Sequence, residues 1–317
     1  MDPLSEILSL LKPNGCGFRG LNAGGDWTLA FEASEGVKCY AITAGACWLS
    51  FEDMAEPVQL TNGDFILLPT GKGFRLSSSL GVPPVDALPV LLSVPAGQTA
   101  LLNGGGSCAG VGGYFGFAGP HAGFLLKMLP PVVHITAEAD KAILRQSIDR
   151  LMREMREPQP GSSLIAEHLA QALLIEALRL HLMDRSRHSR GWLFALADRQ
   201  MHAVISAMHA NPEHKWTLAA LASVAGMSRS SFAVRFKDTV GETAMDYLTR
   251  WRMLVAADRL GKAGMSIAAV APTVGYFSES AFGVAFKRVI GRSPRQHAKD
   301  VTSGDRIDIL ALPEAAE

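Results

Sequence analysis

The side chains that could do chemistry in this chain are cations. Lys287, Arg288, Arg292, Arg295 and Lys299 fall in one short stretch near the end of the sequence. Residues 192–300 carry 14 Lys+Arg against 8 Asp+Glu, whereas residues 1–191 carry 15 against 18, so a formal net charge of zero conceals a basic C-terminal segment. Such a segment neutralises phosphates when a neighbouring element enters a nucleic-acid groove, and is otherwise a solvated face. Reactive types of other kinds are scattered. His121, His134, His168 and His181 lack ligand spacing, and the run Gly104-Gly105-Gly106 lacks the lysine of a phosphate loop. Cys16, Cys39, Cys47 and Cys108 form no Cys-x-x-Cys or Cys/His pair, so no zinc site and no other cofactor is expected.

The elements needed to present the cations are written twice. Leu218-Ala219-Ala220-Leu221-Ala222 leads to Gly226, Ser228, Phe232, Phe236 and Gly241; Ile267-Ala268-Ala269-Val270-Ala271 leads to Gly275, Ser278, Phe282, Phe286 and Gly291. In both copies eight residues separate the first aliphatic from the turn glycine, four separate the phenylalanines, and five more reach the closing glycine. An alanine-rich helix allows a second helix to cross closely, and glycine permits the turn between them. Thr217, Ser228 and Ser278 are natural N-caps, and Gly241 and Gly291 are C-terminal stops. Phenylalanines at i and i+4 anchor one face of the second helix and leave the other for solvent or a groove. A single helical hairpin could be mere packing. Repetition beside a basic cluster points to two helix-turn-helix units joined by a helix over residues 244–260, with Pro272 expected in the first turn of its helix or at a kink.

Gly275-Tyr276-Phe277-Ser278-Glu279-Ser280-Ala281-Phe282, with Phe286-Lys287-Arg288, Gly291 and Ser293-Pro294, resembles the signature of the AraC/XylS transcription regulators. The resemblance covers residues 196–298. It implies that two second helices enter successive major grooves, which repeat every ~34 Å along one face of double-stranded DNA. By position it implies base-facing residues Arg229, Ser230, Ala233 and Val234 in the first unit, and Glu279, Ser280, Ala281, Gly283 and Val284 in the second. Lys237, Lys287, Arg288, Arg292 and Arg295 complete the expected DNA contacts. An arginine common in the family is replaced by Val234 and Val284, which weakens direct readout and favours shape readout.

From Asp26 to about Val94 the pattern changes to short apolar runs punctuated by glycine, among them Val37–Thr43, Cys47–Phe51, Phe65–Leu68 and Phe74–Leu76. The stretch from Gly63 through Pro69 and Gly71 to Phe74 is similar to the second motif of the cupin barrels, with Phe74 where a metal-binding histidine would stand. Aligning Gly45 with the end of the first motif puts Glu32, Ser34 and Lys38 where the other ligands would be. A phenyl ring cannot ligate a metal and a cation repels one. The barrel is therefore expected to take a small-molecule effector instead, with Trp27, Lys38, Tyr40, Trp48, Phe74 and Arg75 as candidate contacts; Lys38 and Arg75 could hold an anionic group. Phe31, Phe51 and Phe65 are further aromatics available to line it, and about half or more of all these rings are expected to be ordinary core.

Residues 1–12 have helical spacing at Leu4, Ile7, Leu8 and Leu11 and no signal-peptide pattern, and no membrane segment is present, so a cytoplasmic location is expected. A helix over about residues 136–157 carries Leu144, Ile148, Leu151, Met152 and Met155 on one face. After a turn, a second helix is expected with a stripe of Leu164, Ile165, Leu169, Leu173, Ala177 and His181, then a polar linker over 184–191. The expected fold is α+β in two domains: a cupin-like β-barrel over 1–135, a helical linker and dimerisation region over 136–190, an all-α double helix-turn-helix domain over 191–300 and a polar tail over 301–317. The function this implies is a DNA-binding transcription regulator that answers a small-molecule effector, works as a homodimer and catalyses nothing. Redox sensing through cysteine is the alternative. Cys16 and Cys108 are expected in exposed glycine-rich segments, and Cys39 and Cys47 beside a short turn in the barrel. A metal-free cupin enzyme is disfavoured because no acid/base or nucleophile constellation assembles.

Overall fold

The computed structural model describes residues 2–34, 36–52, 56–118, 122–183, 191–262 and 265–302. Its elements are, in chain order, α1 (Pro3–Ser9), β1 (Lys12–Ala23), β2 (Thr28–Phe31), β3 (Val37–Ala44), β4 (Ala46–Ser50), β5 (Val58–Thr61), β6 (Phe65–Leu68), β7 (Phe74–Ser77), β8 (Val85–Asp86), α2 (Ala87–Leu92), β9 (Thr99–Leu102), β10 (Cys108–Ala118), α3 (Ala122–Lys127), β11 (Val133–Ile135), α4 (Glu138–Arg156) and α5 (Ser162–Met183). The helices that follow are α6 (Trp192–Ala195), α7 (Arg199–Ala210), α8 (Leu218–Val224), α9 (Arg229–Val240), α10 (Ala244–Leu260), α11 (Ile267–Thr273), α12 (Glu279–Ile290) and α13 (Pro294–Thr302). These residues form two compact units. One comprises residues 13–118 and 130–183; the other comprises 2–12, 122–129 and 191–302. The expected linker over 184–190 and tail beyond 302 lie outside the described residues, as does His121.

The first unit is a sandwich of a six-stranded sheet, ordered β11-β6-β3-β10-β1-β9, and a five-stranded sheet, ordered β5-β4-β7-β2-β8. Side chains alternate along a strand. Tyr40 and Ile42 of β3 therefore face Leu29 and Phe31 of β2, Leu49 of β4 and Phe74 and Leu76 of β7 in one buried core. Val37, Cys39 and Leu67 face the other way and are buried too, because α4 and α5 pack together and α5 covers β11. The large sheet is thus covered on both faces at β3 and β6, and β6 is buried at every position.

Three differences from the expected elements have local causes. The glycine-rich runs around Gly17 and Gly110–Gly113 are the long strands β1 and β10, not loops. Aromatic rings occupy the space their side chains would fill: a Cβ on Gly112 would lie 2.6 Å from the Tyr40 ring and one on Gly113 2.3 Å from the Phe18 ring. In α5, Leu164 and Ile165 are exposed, and the buried stripe runs instead through Ala166, Ala170, Leu173, Leu174, Ala177, Leu178 and His181. Pro272 sits in the last turn of α11, one residue before the helix ends, where the missing N–H leaves the rest of the short helix bonded.

Asp64 ties α4 to the large sheet. Its carboxylate accepts from the Thr61 backbone N–H at 2.9 Å, lies 3.0 Å from Lys141 Nζ and 3.2 Å from His134 Nε2. Burial opposes its ionisation, yet the Thr61, Lys141 and His134 contacts outweigh that and hold the carboxyl below its ordinary range.

In the second unit α10 is buried along most of its length: Ala244, Tyr247, Leu248, Trp251, Met253, Leu254, Ala256, Ala257 and Leu260 all face protein. Helices α9, α11, α12 and α13 contact it. The expected caps are present, with Thr217, Ser228 and Ser278 oxygens accepting from Ala220, Ser231 and Ala281 N–H groups. Gly241 and Gly291 end α9 and α12 at φ +95° and +85°. Phe232, Phe236, Phe282 and Phe286 are 0% exposed. Phe232→Ala and Phe282→Ala should each destabilise this unit by ~3–5 kcal/mol through the cavity left behind, read by chemical denaturation of the full chain; an unchanged transition would disprove the role of these rings as anchors.

Candidate nucleic-acid interface and cupin cavity

The buried phenylalanines determine what α9 and α12 show to solvent. With Phe232 and Phe236 turned inward, Arg229, Ser230, Val234 and Lys237 are exposed and Ala233 half-buried on the opposite face of α9. On α12, Glu279, Ser280, Ala281, Val284, Lys287 and Arg288 are exposed and Gly283 is half-buried. Val234 is 63% exposed and Val284 71%, large for apolar side chains on well-packed helices. Each of these helices follows a short helix across a glycine turn, Gly226 at φ +65° and Gly275 at φ +81°. The geometry is two helix-turn-helix motifs sharing α10.

The cations are not equivalent. Lys237, Lys287, Arg288, Arg295 and Lys299 are exposed. Arg292 instead donates to Asp300 at 2.8 Å and fastens α13, so part of its role is structural. His297 fastens the same helix from inside, donating from Nε2 to the Ala257 carbonyl at 3.0 Å; burial lowers its pKa. Arg235, a cation on α9 not expected as a contact, is held by Asp198 and Gln200 at the start of α7. Sequence reasoning missed Phe277, 78% exposed just before the α12 cap, with the Lys215 ammonium 5.1 Å from its ring centre. Neither residue belongs to the repeat, so periodicity carries no signal for them.

In the sandwich, a cavity of about 720 Å³ opens at the end of β2, β4 and β7. Phe31, Phe51 and Phe74 line it, with Glu32, Lys72 and Arg75 among its ionic residues. Phe31 and Phe74 stack at 4.5 Å with 7° between their planes, and Tyr40 meets both edge-on. Strand alternation turns Lys38 the same way as Tyr40. Its ammonium lies 5.3 Å from the Phe74 ring centre and 5.8 Å from that of Phe31, and donates to the Glu32 carbonyl at 3.0 Å. Burial lowers its pKa. Of the six expected effector contacts, Phe74 and Arg75 line the cavity and Lys38 stands behind its aromatic wall. Trp27 and Tyr40 are buried core, and Trp48 points away from the core on β4. Phe31 and Phe51, among the aromatics available for this role, also line it, whereas Lys72 was not expected there. Among the described residues no group of three or more His, Cys, Asp or Glu side chains could hold a metal ion.

Comparison with known proteins gives this geometry its family. Residues 2–183 match a cupin family model, and residues 221–300 match a helix-turn-helix domain model. Two proteins described as putative AraC-like transcription regulators, from Streptomyces antibioticus and Streptomyces lividans, are each 40% identical to this chain. The matches cover 94% and 95% of it and 99% of each relative. The chain belongs to the AraC-like transcription regulators. It joins an N-terminal cupin domain to a C-terminal helix-turn-helix domain that binds DNA. Among solved structures, ToxT from Vibrio cholerae O395 aligns over 90% of this AraC-like regulator and 97% of its own chain, at 12% identity and a TM-score of 0.36. Among the described residues no helix is long and apolar enough to cross a membrane.

Proposed function

We propose that this regulator reads DNA with the exposed faces of α9 and α12, and that an anionic small molecule in the cupin cavity modulates it without being chemically changed. The observation that carries the DNA reading is the exposure of Val234 and Val284 beside fully buried phenylalanines. An apolar side chain kept in water at the centre of a recognition face suits contact with a thymine methyl, and the absence of arginine there leaves more of the specificity to DNA shape. Arg229, Ser230, Ala233, Glu279, Ser280, Ala281 and Gly283 share those faces. Lys237, Lys287, Arg288 and Arg295 stand where phosphates would lie, and Arg292 adds to them only at the expense of its Asp300 pair.

The effector reading rests on the stacked Phe31–Phe74 wall with Lys38 behind it and Arg75 at its edge. Flat apolar surface with one cation behind it and another at its edge suits an aromatic or otherwise apolar carboxylate. A homodimer is the assembly we favour, because α4 and α5 leave Ile143, Leu164 and Ile165 exposed on their outer surfaces. A second copy of the same face would cover them, and paired half-sites suit a two-fold protein.

Three experiments test these parts. In binding-site selection from randomised duplexes combined with salt titration, Lys287→Ala should weaken binding to all sequences and lower the salt slope by roughly one, whereas Ser230→Glu should change the preferred bases. A Lys287 variant with altered preference, or a Ser230 variant without it, would overturn the placement of the helices. In thermal-shift screening against a panel of carboxylates, at least one aromatic acid should stabilise the wild type and do so less in Lys38→Ala; a panel without effect on the wild type removes the anion reading. Sedimentation should show a dimer that Leu164→Glu with Ile165→Glu converts to monomer, and a monomeric wild type would exclude this interface.

A further inference from the structure

Two of the four cysteines are brought together by the corner between the sheets. Cys47 is the second residue of β4 in the five-stranded sheet, and Cys108 opens β10 in the six-stranded sheet. Both belong to the core between the sheets. Ala109 pairs with Ala44, which sets Cys108 beside Gly45, the single residue joining β3 to β4. A Cβ on Gly45 would lie 2.0 Å from the Ser107 carbonyl oxygen and 3.2 Å from the Cys108 Cα, so only glycine, at φ +71°, allows β10 to begin this close to the turn. Cys47, two residues beyond Gly45, then shares this corner of the core with Cys108.

Their proximity makes the two sulfurs chemically different. The neighbouring Cys108 sulfur, with burial, pushes the Cys47 thiol up, and the Cys47 thiol beside it holds Cys108 below the ordinary thiol range. Cys16 is pushed up to about 11 and Cys39 is raised too, both chiefly by burial. Cys108 is therefore the best thiolate of the four, which makes it the nucleophile. It is 7% exposed, but it follows Asn103, Gly104, Gly106 and Ser107, all exposed, so one side of the corner opens to solvent. The expectation that Cys108 lies in an exposed segment fails for the residue and holds for the loop before it.

We propose that Cys47 and Cys108 form a dithiol switch that a hydroperoxide closes to a disulfide across the two sheets of the cupin domain. The Cys108 thiolate attacks the peroxide oxygen; the S–O bond forms as the O–O bond breaks, and the leaving alkoxide or hydroxide takes the Cys47 proton. The Cys47 thiolate then attacks the Cys108 sulfenic acid, forming the S–S bond as hydroxide leaves with a proton as water. Two thiols and one hydroperoxide give one disulfide, one alcohol or water, and one further water, with two electrons passing from sulfur to the peroxide. This input is independent of the carboxylate site proposed above.

The test uses the full chain, reduced, freed of reductant under anaerobic conditions and treated with stoichiometric hydrogen peroxide before alkylation and non-reducing peptide mapping. The Cys47 and Cys108 peptides should appear joined, two hydrogens lighter than their sum, and separate on adding dithiothreitol, while Cys16 and Cys39 remain alkylated. Cys47→Ser should stop at a Cys108 sulfenic acid captured by dimedone, and Cys16→Ser should form the cross-link as the wild type does. Recovery of Cys47 and Cys108 as alkylated thiols at doses that oxidise Cys16, or a cross-link formed only in denaturant, overturns the proposal; the wild-type map decides it even where a variant fails to fold.

Discussion

The burial of α10 is the constraint on which the DNA-binding unit depends. A helix with this many large apolar side chains cannot stand alone in water, and here α9, α11, α12 and α13 all pack on it. Each of these contacts also orients something. The Phe286 ring meets His297 edge-on at 5.5 Å, and His297 in turn bonds the Ala257 carbonyl, so α12, α13 and α10 are locked by one apolar and one polar contact. Fully burying a phenylalanine contributes ~1.5–3 kcal/mol, and four such rings sit in the two motifs. Rotating either α9 or α12 would expose its pair, which keeps the opposite face of each helix presented to solvent.

One buried polar group of this unit ties the N-terminal helix to it. His209 of α7 lies 2.8 Å from the Tyr247 hydroxyl and 3.0 Å from the Glu6 carboxylate, and stacks on Trp251 at 3.7 Å. Burial lowers the pKa of His209 more than Glu6 raises it. Residues 2–12 thus belong with the helix-turn-helix unit in packing although they begin the chain.

The cupin unit obeys a different economy of space. Its large sheet is covered on both faces at β3 and β6, and the space beside glycines in β10 is filled by Tyr40 and Phe18 rings from neighbouring strands. The same close approach at Gly45 brings the two sulfurs together, and the same alternation that buries Tyr40 turns Lys38 toward the open aromatic end. Where the motif resemblance puts a metal-binding histidine there is Phe74, stacked on Phe31 with a lysine behind. A ligand at that end can shift the protein only by favouring one packing of these rings over another.

The sequence by itself determined everything that depends on near neighbours along the chain. The spacing of alanines, glycines, serines and phenylalanines set both helix-turn-helix motifs, their caps and their buried face, because helix periodicity and capping are local. The departure at Phe74 was legible for the same reason: one side chain decides whether a motif can ligate. Tertiary structure alone decided what depends on contacts distant in sequence. The strands β1 and β10 were illegible because their glycines show no alternation until the rings that fill them are in place. The stripe of α5 was misplaced because which apolar residues are buried depends on where α4 and β11 lie. Arg292 looked like a free cation until the fold of α13 brought Asp300 to it, and Cys47 and Cys108, far apart in sequence, became a pair only when two sheets met at a glycine corner.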